Sequence, residues 1–288
     1  MGTEQVYTDA RQRSVLGIIP DVVANRELLV NLVAKGLRVR YRIAAAGLFW
    51  AVLQPLLMMA ILSLVFGLLM GGRAEAFGIV LPIPYPAFLL VGLIPWQFFA
   101  SAVNEGTRSL ITHRELVNKV YFPRELIPLS TVLDWFVNLI IGIVLLVAVL
   151  AVFRCPLGIH LLWLVPLMTI ELALVVGVTL VLSCLNVYFR DVQYIVEAAV
   201  LFGFYACPVL YPLAAVRDFA AAHNAPDLYR FYMMNPMAGL IEACHQAIVW
   251  GHAPGIDLLW WPLAFTGGCL VLGAWVFRRS ACCFADYL

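Results

Sequence analysis

Residues 126–153 read LIPLSTVLDWFVNLIIGIVLLVAVLAVF, an apolar run interrupted by a single charge, Asp134. About 20 apolar residues in a helix cross the ~30 Å hydrocarbon core of a bilayer, so this run is long enough to span one. The runs around it repeat the pattern. Residues 43–72, 76–104 and 258–277 carry no charge; 155–189 carries only Glu171, and 192–216 only Glu197. Six spans are expected. Composition agrees: of 288 residues 64% are hydrophobic and 12% charged, with a mean hydropathy of +0.94. A soluble domain carries about 25% charged residues. The chain reads as an all-α integral membrane protein.

Net charge is +1, which says little, but the placement of the charges says more. With the N-terminus inside, fourteen Lys and Arg fall on cytoplasmic segments and four (Arg73, Arg154, Arg217, Arg230) on outer ones. The positive-inside rule therefore sets both termini in the cytoplasm. The opening MGTEQVYTDARQRS is polar and no apolar h-region follows within the first 25 residues of the chain, unlike a cleavable signal.

Two segments do not fit a simple count of spans. In 25–42, NRELLVNLVAKGLRVRYR, the residues Glu27, Asn31, Lys35, Arg38 and Arg42 recur at helical spacing opposite Leu28, Leu29, Leu32, Val33 and Leu37. That suits an amphipathic helix lying in the cytoplasmic interface, its arginines toward anionic headgroups. Residues 214–257 are only moderately apolar and contain Asn235-Pro236, Glu242 and His245. A seventh crossing there would carry Arg278 and Arg279 outside. A re-entrant helical hairpin fits better, since irregular backbone at membrane depth is tolerated where protein buries it. The expected organisation is a cytoplasmic tail and interface helix (1–42), a six-span domain (43–277) and a cytoplasmic tail (278–288).

Several chemistries are excluded. No G-x-x-x-x-G-K-[ST] occurs, so no phosphate-cradling loop is present and this chain alone is no ATPase. There is no H-E-x-x-H and no G-x-S-x-G, and the seven cysteines form no C-x-x-C. Intramembrane acids are costly and often functional. Asp134, Glu171 and Glu197 each read either as a conduit or proton-relay group or as a partner bonded to a neighbouring helix. For Glu197 the second reading is favoured. Of the aromatics, Trp96, Phe98 and Phe99 fall near mid-span, where an interfacial belt does not explain them. Aromatic faces in a conduit suit sugar rings.

The polar stretch HRELVNKVYFPREL at 113–126 remains, set between two apolar runs. Together with PAFLLVGLIPWQFFASAVNEGTRSL (86–110), LNVYFRDVQYIV (185–196), CPVLYPL (207–213) and MNPMAGLIEACHQAI (234–248), it resembles the ABC-2-type polysaccharide export permeases, the Wzm-like family. The ordered series covers about residues 28–275. The resemblance implies a permease of the bacterial cytoplasmic membrane that forms a homodimer and pairs with two separate ATP-binding cassette subunits. Those subunits would hold ATP and Mg2+, and this chain would bind no cofactor and no nucleic acid. The cargo implied is a lipid-linked glycan. Segment 104–124 would be a coupling helix ended by Pro123, with Arg108, His113, Arg114, Glu115 and Lys119 meeting the ATPase. Arg190 and Asp191 would form a second contact. Channel-lining candidates are Trp50, Trp96, Phe98, Phe99, Glu171 and Tyr205. Two alternatives stay open: an ABC-2-type exporter of drugs, haem or lipids, and a proton-coupled carrier using Asp134, Glu171 and Glu197.

Overall fold

The computed structural model describes residues 18–42, 47, 49–69, 81–119, 122–156, 158–281 and 284–287. Among them every regular element is helical. The described residues open with α1 (Ile18–Ala24) and α2 (Arg26–Arg42), followed by α3 (Phe49–Leu69) and α4 (Tyr85–Thr112). The short α5 (Arg114–Lys119) leads to α6 (Leu126–Val152). A 3-10 turn (Ile159–Trp163) runs into α7 (Leu164–Tyr188), and α8 (Val192–Tyr205) follows. Three shorter helices come next, α9 (Leu213–Ala222), α10 (Pro226–Met233) and α11 (Pro236–Ile248). The last two are α12 (Ile256–Ser280) and α13 (Phe284–Tyr287). Among the described residues five helical stretches are long and apolar enough to cross a membrane: those led by α3, α4, α6, α7 with its 3-10 turn, and α12.

The bundle is organised around α4. From Ala87 to Trp96 it is buried without a break, because α3, α6, α7, α8 and α11 all pack on it. Its entry is set by Pro84 at the N-cap and a proline in the first turn, where the missing N–H has no intrahelical partner to lose. The crossing of α7 and α12 is set by small residues. A Cβ on Gly177 would stand 2.7 Å from the Cys269 carbonyl carbon and the Leu270 nitrogen. A side chain there would force the backbones apart, the logic by which small residues let membrane helices approach.

Two expectations are corrected in detail. Residues 104–112 are not a separate coupling helix, because α4 runs through them to Thr112. Thr107 Oγ1 donates to Val103 O at 2.7 Å and Ser109 Oγ to Gly106 O at 2.6 Å. These polar side chains return to their own helix rather than unwinding it. The break comes at His113, and α5 begins after it. The run 192–216 is not one helix either, since α8 stops at Tyr205. Pro208 and Pro212 explain the stop. The segment beyond it is nonetheless buried: Cys207 and Val209 are wholly inaccessible. Side chains collect its freed carbonyls. Tyr85 Oη donates to Leu210 O at 2.9 Å and Tyr211 Oη to Tyr205 O at 2.7 Å. Asn235 Nδ2 donates to Cys207 Sγ at 3.1 Å. That is how buried non-helical backbone keeps its polar groups satisfied.

The third and sixth apolar runs, 126–153 and 258–277, coincide with α6 (Leu126–Val152) and α12 (Ile256–Ser280) to within three residues, whereas residues 70–80, where the first run ends and the second begins, lie outside the described residues. The amphipathic helix expected at 25–42 is α2, with Glu27, Asn31, Lys35 and Arg38 exposed. The start of the first run, 43–46, and the tail cysteines Cys282 and Cys283 lie outside the described residues.

Candidate functional site

The polar stretch that interrupts the apolar runs is seated by a small core of its own. Leu110 of α4 and Val117 of α5 pack with Ile127, Leu180, Cys184, Val187, Phe277 and Phe284. The apolar side of α5 is thereby held down and its opposite side turned out: Arg114 and Glu115 are exposed. Lys119 closes α5, and its side chain lies outside the described residues, as does Tyr121. His113 is half-buried at the break, its Nδ1 3.0 Å from Ser109 O. Ionic contacts brace the base of this region. Arg278 Nη2 reaches Asp21 at 2.8 Å and Glu125 at 3.9 Å, and Arg124 donates to the Ala281 carbonyl.

The second expected contact, Arg190-Asp191, is an exposed turn between α7 and α8. It is tied to the first. Asn186 Nδ2 donates to Thr107 O at 3.1 Å, and its Oδ1 accepts from Gln193 N at 3.1 Å. Buried Asn186 therefore locks the α7–α8 turn to the end of α4. Arg108, expected to face a partner, instead forms an ion pair with Glu197 of α8. Both side chains keep over a third of their surface exposed, so water screens the pair and its net worth is small.

A polar node that sequence spacing did not reveal joins α2 to the spans. Arg40 Nη2 lies 2.9 Å from Asp134 Oδ2 and 2.9 Å from Glu105 Oε2. Its guanidinium stacks 3.8 Å over the Trp135 ring, and Trp135 Nε1 donates to the same Glu105 oxygen at 2.8 Å. Beside it Tyr41 donates to Asn138. Burial holds the Tyr41 phenol above its ordinary pKa, so it stays a neutral donor at physiological pH. Gly36 provides the room, since a Cβ there would come within 3.1 Å of Asp134 Oδ2. The only advance signal was Asp134 itself.

The channel-lining candidates divide. Trp50 and Tyr205 are exposed, at 54% and 60%. Trp96 is buried, packed on Phe99 and Phe204 and against Gly203. Phe98 is buried edge-on to Phe136, and Phe99 is partly buried. Glu171 is wholly buried, and neither oxygen has a hydrogen-bond partner among the described residues. His245 of α11 is equally buried, stacked on Phe88 at 4.2 Å with Glu242 3.8 Å away.

An all-helical bundle with five helices long and apolar enough to cross a membrane has the architecture of a multi-pass membrane protein. The ABC-2 type transporter family matches residues 27–248, and the chain belongs to it. It is 31% identical over 239 residues to the O-antigen export system permease protein RfbA of Myxococcus xanthus, covering 83% of this chain and 86% of that one. It is also 31% identical over 268 residues to a protein of the same name from Klebsiella pneumoniae (91% and 95%). With the polysialic acid transport protein KpsM of Escherichia coli it shares 24% over 250 residues (86% and 91%).

Proposed function

We propose that this chain is the membrane permease of an ABC transporter that exports a lipid-linked polysaccharide across the bacterial cytoplasmic membrane. The observation that carries the reading is the similarity, over 91% of the chain, to a permease named for O-antigen export. ATP and Mg2+ belong to two separate ATPase subunits. The permease acts as a homodimer with the glycan threaded between its copies, and both termini are cytoplasmic.

The sixth crossing is α8 with the buried segment after it. At 1.5 Å per residue a helix of 14 residues reaches about 21 Å, short of the ~30 Å core; residues 206–212 complete the passage. Then α9 and α10 lie at the outer face and α11 re-enters the bundle. The support is α11 itself, buried along almost its whole length against α4, α7 and α12. The ATPase docks on α5 and on the Arg190-Asp191 turn. Exposed Arg114 and Glu115 are the contact residues on α5, with His113 and Lys119 flanking them and Arg108 setting the α8 side through Glu197. Trp50 and Tyr205 face the channel; Trp96, Phe98 and Phe99 back its wall, and Glu171 braces it from within.

Exchanging two charges tests the docking. Exposed pairs contribute about 0–1 kcal/mol, but pairs desolvated at an interface couple by about 1.5–7 kcal/mol. Arg114→Glu combined with Glu115→Arg leaves the permease inserted, weakens co-purification of the ATPase and lowers surface glycan. Wild-type values in both measurements would refute the docking role. Surface glycan unchanged in a strain lacking the permease would refute the export function.

A further inference from the structure

Between α3, α4 and α6 lies a cleft lined by Gln54, Gln97, Ser101, Trp135 and Asn138 and backed by Ile94 and Leu139. Gln97, Ser101 and Glu105 recur every four residues and so share one face of α4, as Asp134, Asn138 and Gly142 do on α6. The spans thus bring the uncharged side chains of Gln97, Ser101 and Asn138 together, with the carboxylates of Glu105 and Asp134 at one end. The amides of Gln54 and Gln97 and the Ser101 hydroxyl have no hydrogen-bond partner among the described residues. Gln54 is also exposed, one turn beyond the exposed indole of Trp50.

A carboxamide facing hydrocarbon with its bonds unmade is costly, and here two amides and a hydroxyl converge. Lipid tails cannot satisfy them, so the occupant of the cleft forms hydrogen bonds. Its charge is set at the α2 end. There Arg40 is shared between Asp134 and Glu105, two carboxylates against one guanidinium, and among the described residues that line the cleft none is a cation that could hold a phosphate or a sugar carboxylate. What remains is a set of neutral donors and acceptors beside an indole. Pyranose units match it: their hydroxyls bond amides and their C–H faces stack on aromatic rings.

We propose that this cleft is a binding site for uncharged sugar units on the transport path, an assignment that rests on the export reading above. It separates this chain from carriers of polyanionic glycans. The experiment uses the permease–ATPase complex in nanodiscs, open to water on both faces. Gln54→Cys and Ser101→Cys are treated with a charged methanethiosulfonate and read by peptide mass. Val144→Cys, on the exposed apolar face of α6, reports lipid. The two cleft thiols are expected to react at least ten times faster than Val144→Cys. Maltoheptaose should slow the Gln54→Cys reaction at least threefold, whereas a sialic acid oligomer of matched length should not. Gln97→Leu should remove that protection, and the milder Gln97→Ala should weaken it. Reaction as slow as at Val144→Cys would overturn the site, and so would protection absent for both sugars or equal for both. Protection by the neutral sugar, with surface glycan unchanged when the permease is deleted, would keep the cleft and sink the export reading instead.

Discussion

Arg40 of the interface helix and Asp134 of the third apolar run meet at 2.9 Å, and Asp134 keeps only 7% of its side chain exposed. A carboxylate set that deep needs its partner. Removing one member of a buried pair costs about 3–5 kcal/mol, whereas replacing both with apolar residues is often neutral. Arg40→Ala should therefore lower the thermal midpoint of the purified permease markedly, and Arg40→Met with Asp134→Leu should restore most of the loss. Scanning fluorimetry in detergent measures it; equal losses in the single and double variants would show that the pair is not coupled.

The glycines of α12 and its neighbour make opposite predictions from one residue type. A Cβ at Gly177 would meet the α12 backbone, which cannot swing aside, while one at Gly267 or Gly268 meets nothing within 4 Å. Gly177→Ala should cost about 1–3 kcal/mol through overpacking. Gly267→Ala and Gly268→Ala should be neutral or gain up to about 1 kcal/mol of helix propensity. The three melting curves, taken side by side, decide it; similar shifts in all three would contradict the close crossing.

The placement of α9 at the outer face is checked by labelling. Ala222 is exposed at its C-terminal end. An impermeant maleimide added to right-side-out membranes should modify Ala222→Cys and spare Cys282 and Cys283. Modification of the tail cysteines from outside would reverse the topology.

Much of this architecture is legible in the amino-acid order, because hydrocarbon forces long apolar runs and 3.6-residue periodicity. The boundaries of α6 and α12 and the amphipathic face of α2 follow directly. The end of α8 was less plain, because FYACPVLYP stays apolar and hydropathy does not register that its prolines stop a helix. The site was half-legible. The exposed side of α5 follows from its pattern, but the pairings of Arg40 with Asp134 and of Arg108 with Glu197 join distant positions, and no local spacing announces them. The unpartnered amides of Gln54 and Gln97 sat unnoticed inside apolar runs, since a neutral side chain barely alters their hydropathy.

The subcore beneath α5 bears on how the molecule is made. Its braces join partners far apart in the chain: Arg124 to Ala281 across 157 residues, and Arg278 to Asp21 across 257. Phe277 and Phe284 bury themselves against Val117 and Ile127, which the ribosome delivers much earlier. Contacts of such separation form late, after the loops between them have closed. Helix α5 is therefore synthesised in the first half of translation but finds its seat only after α12 has been made. An unfinished permease would present a loose α5, and an ATPase that recognises the seated form would pass it over.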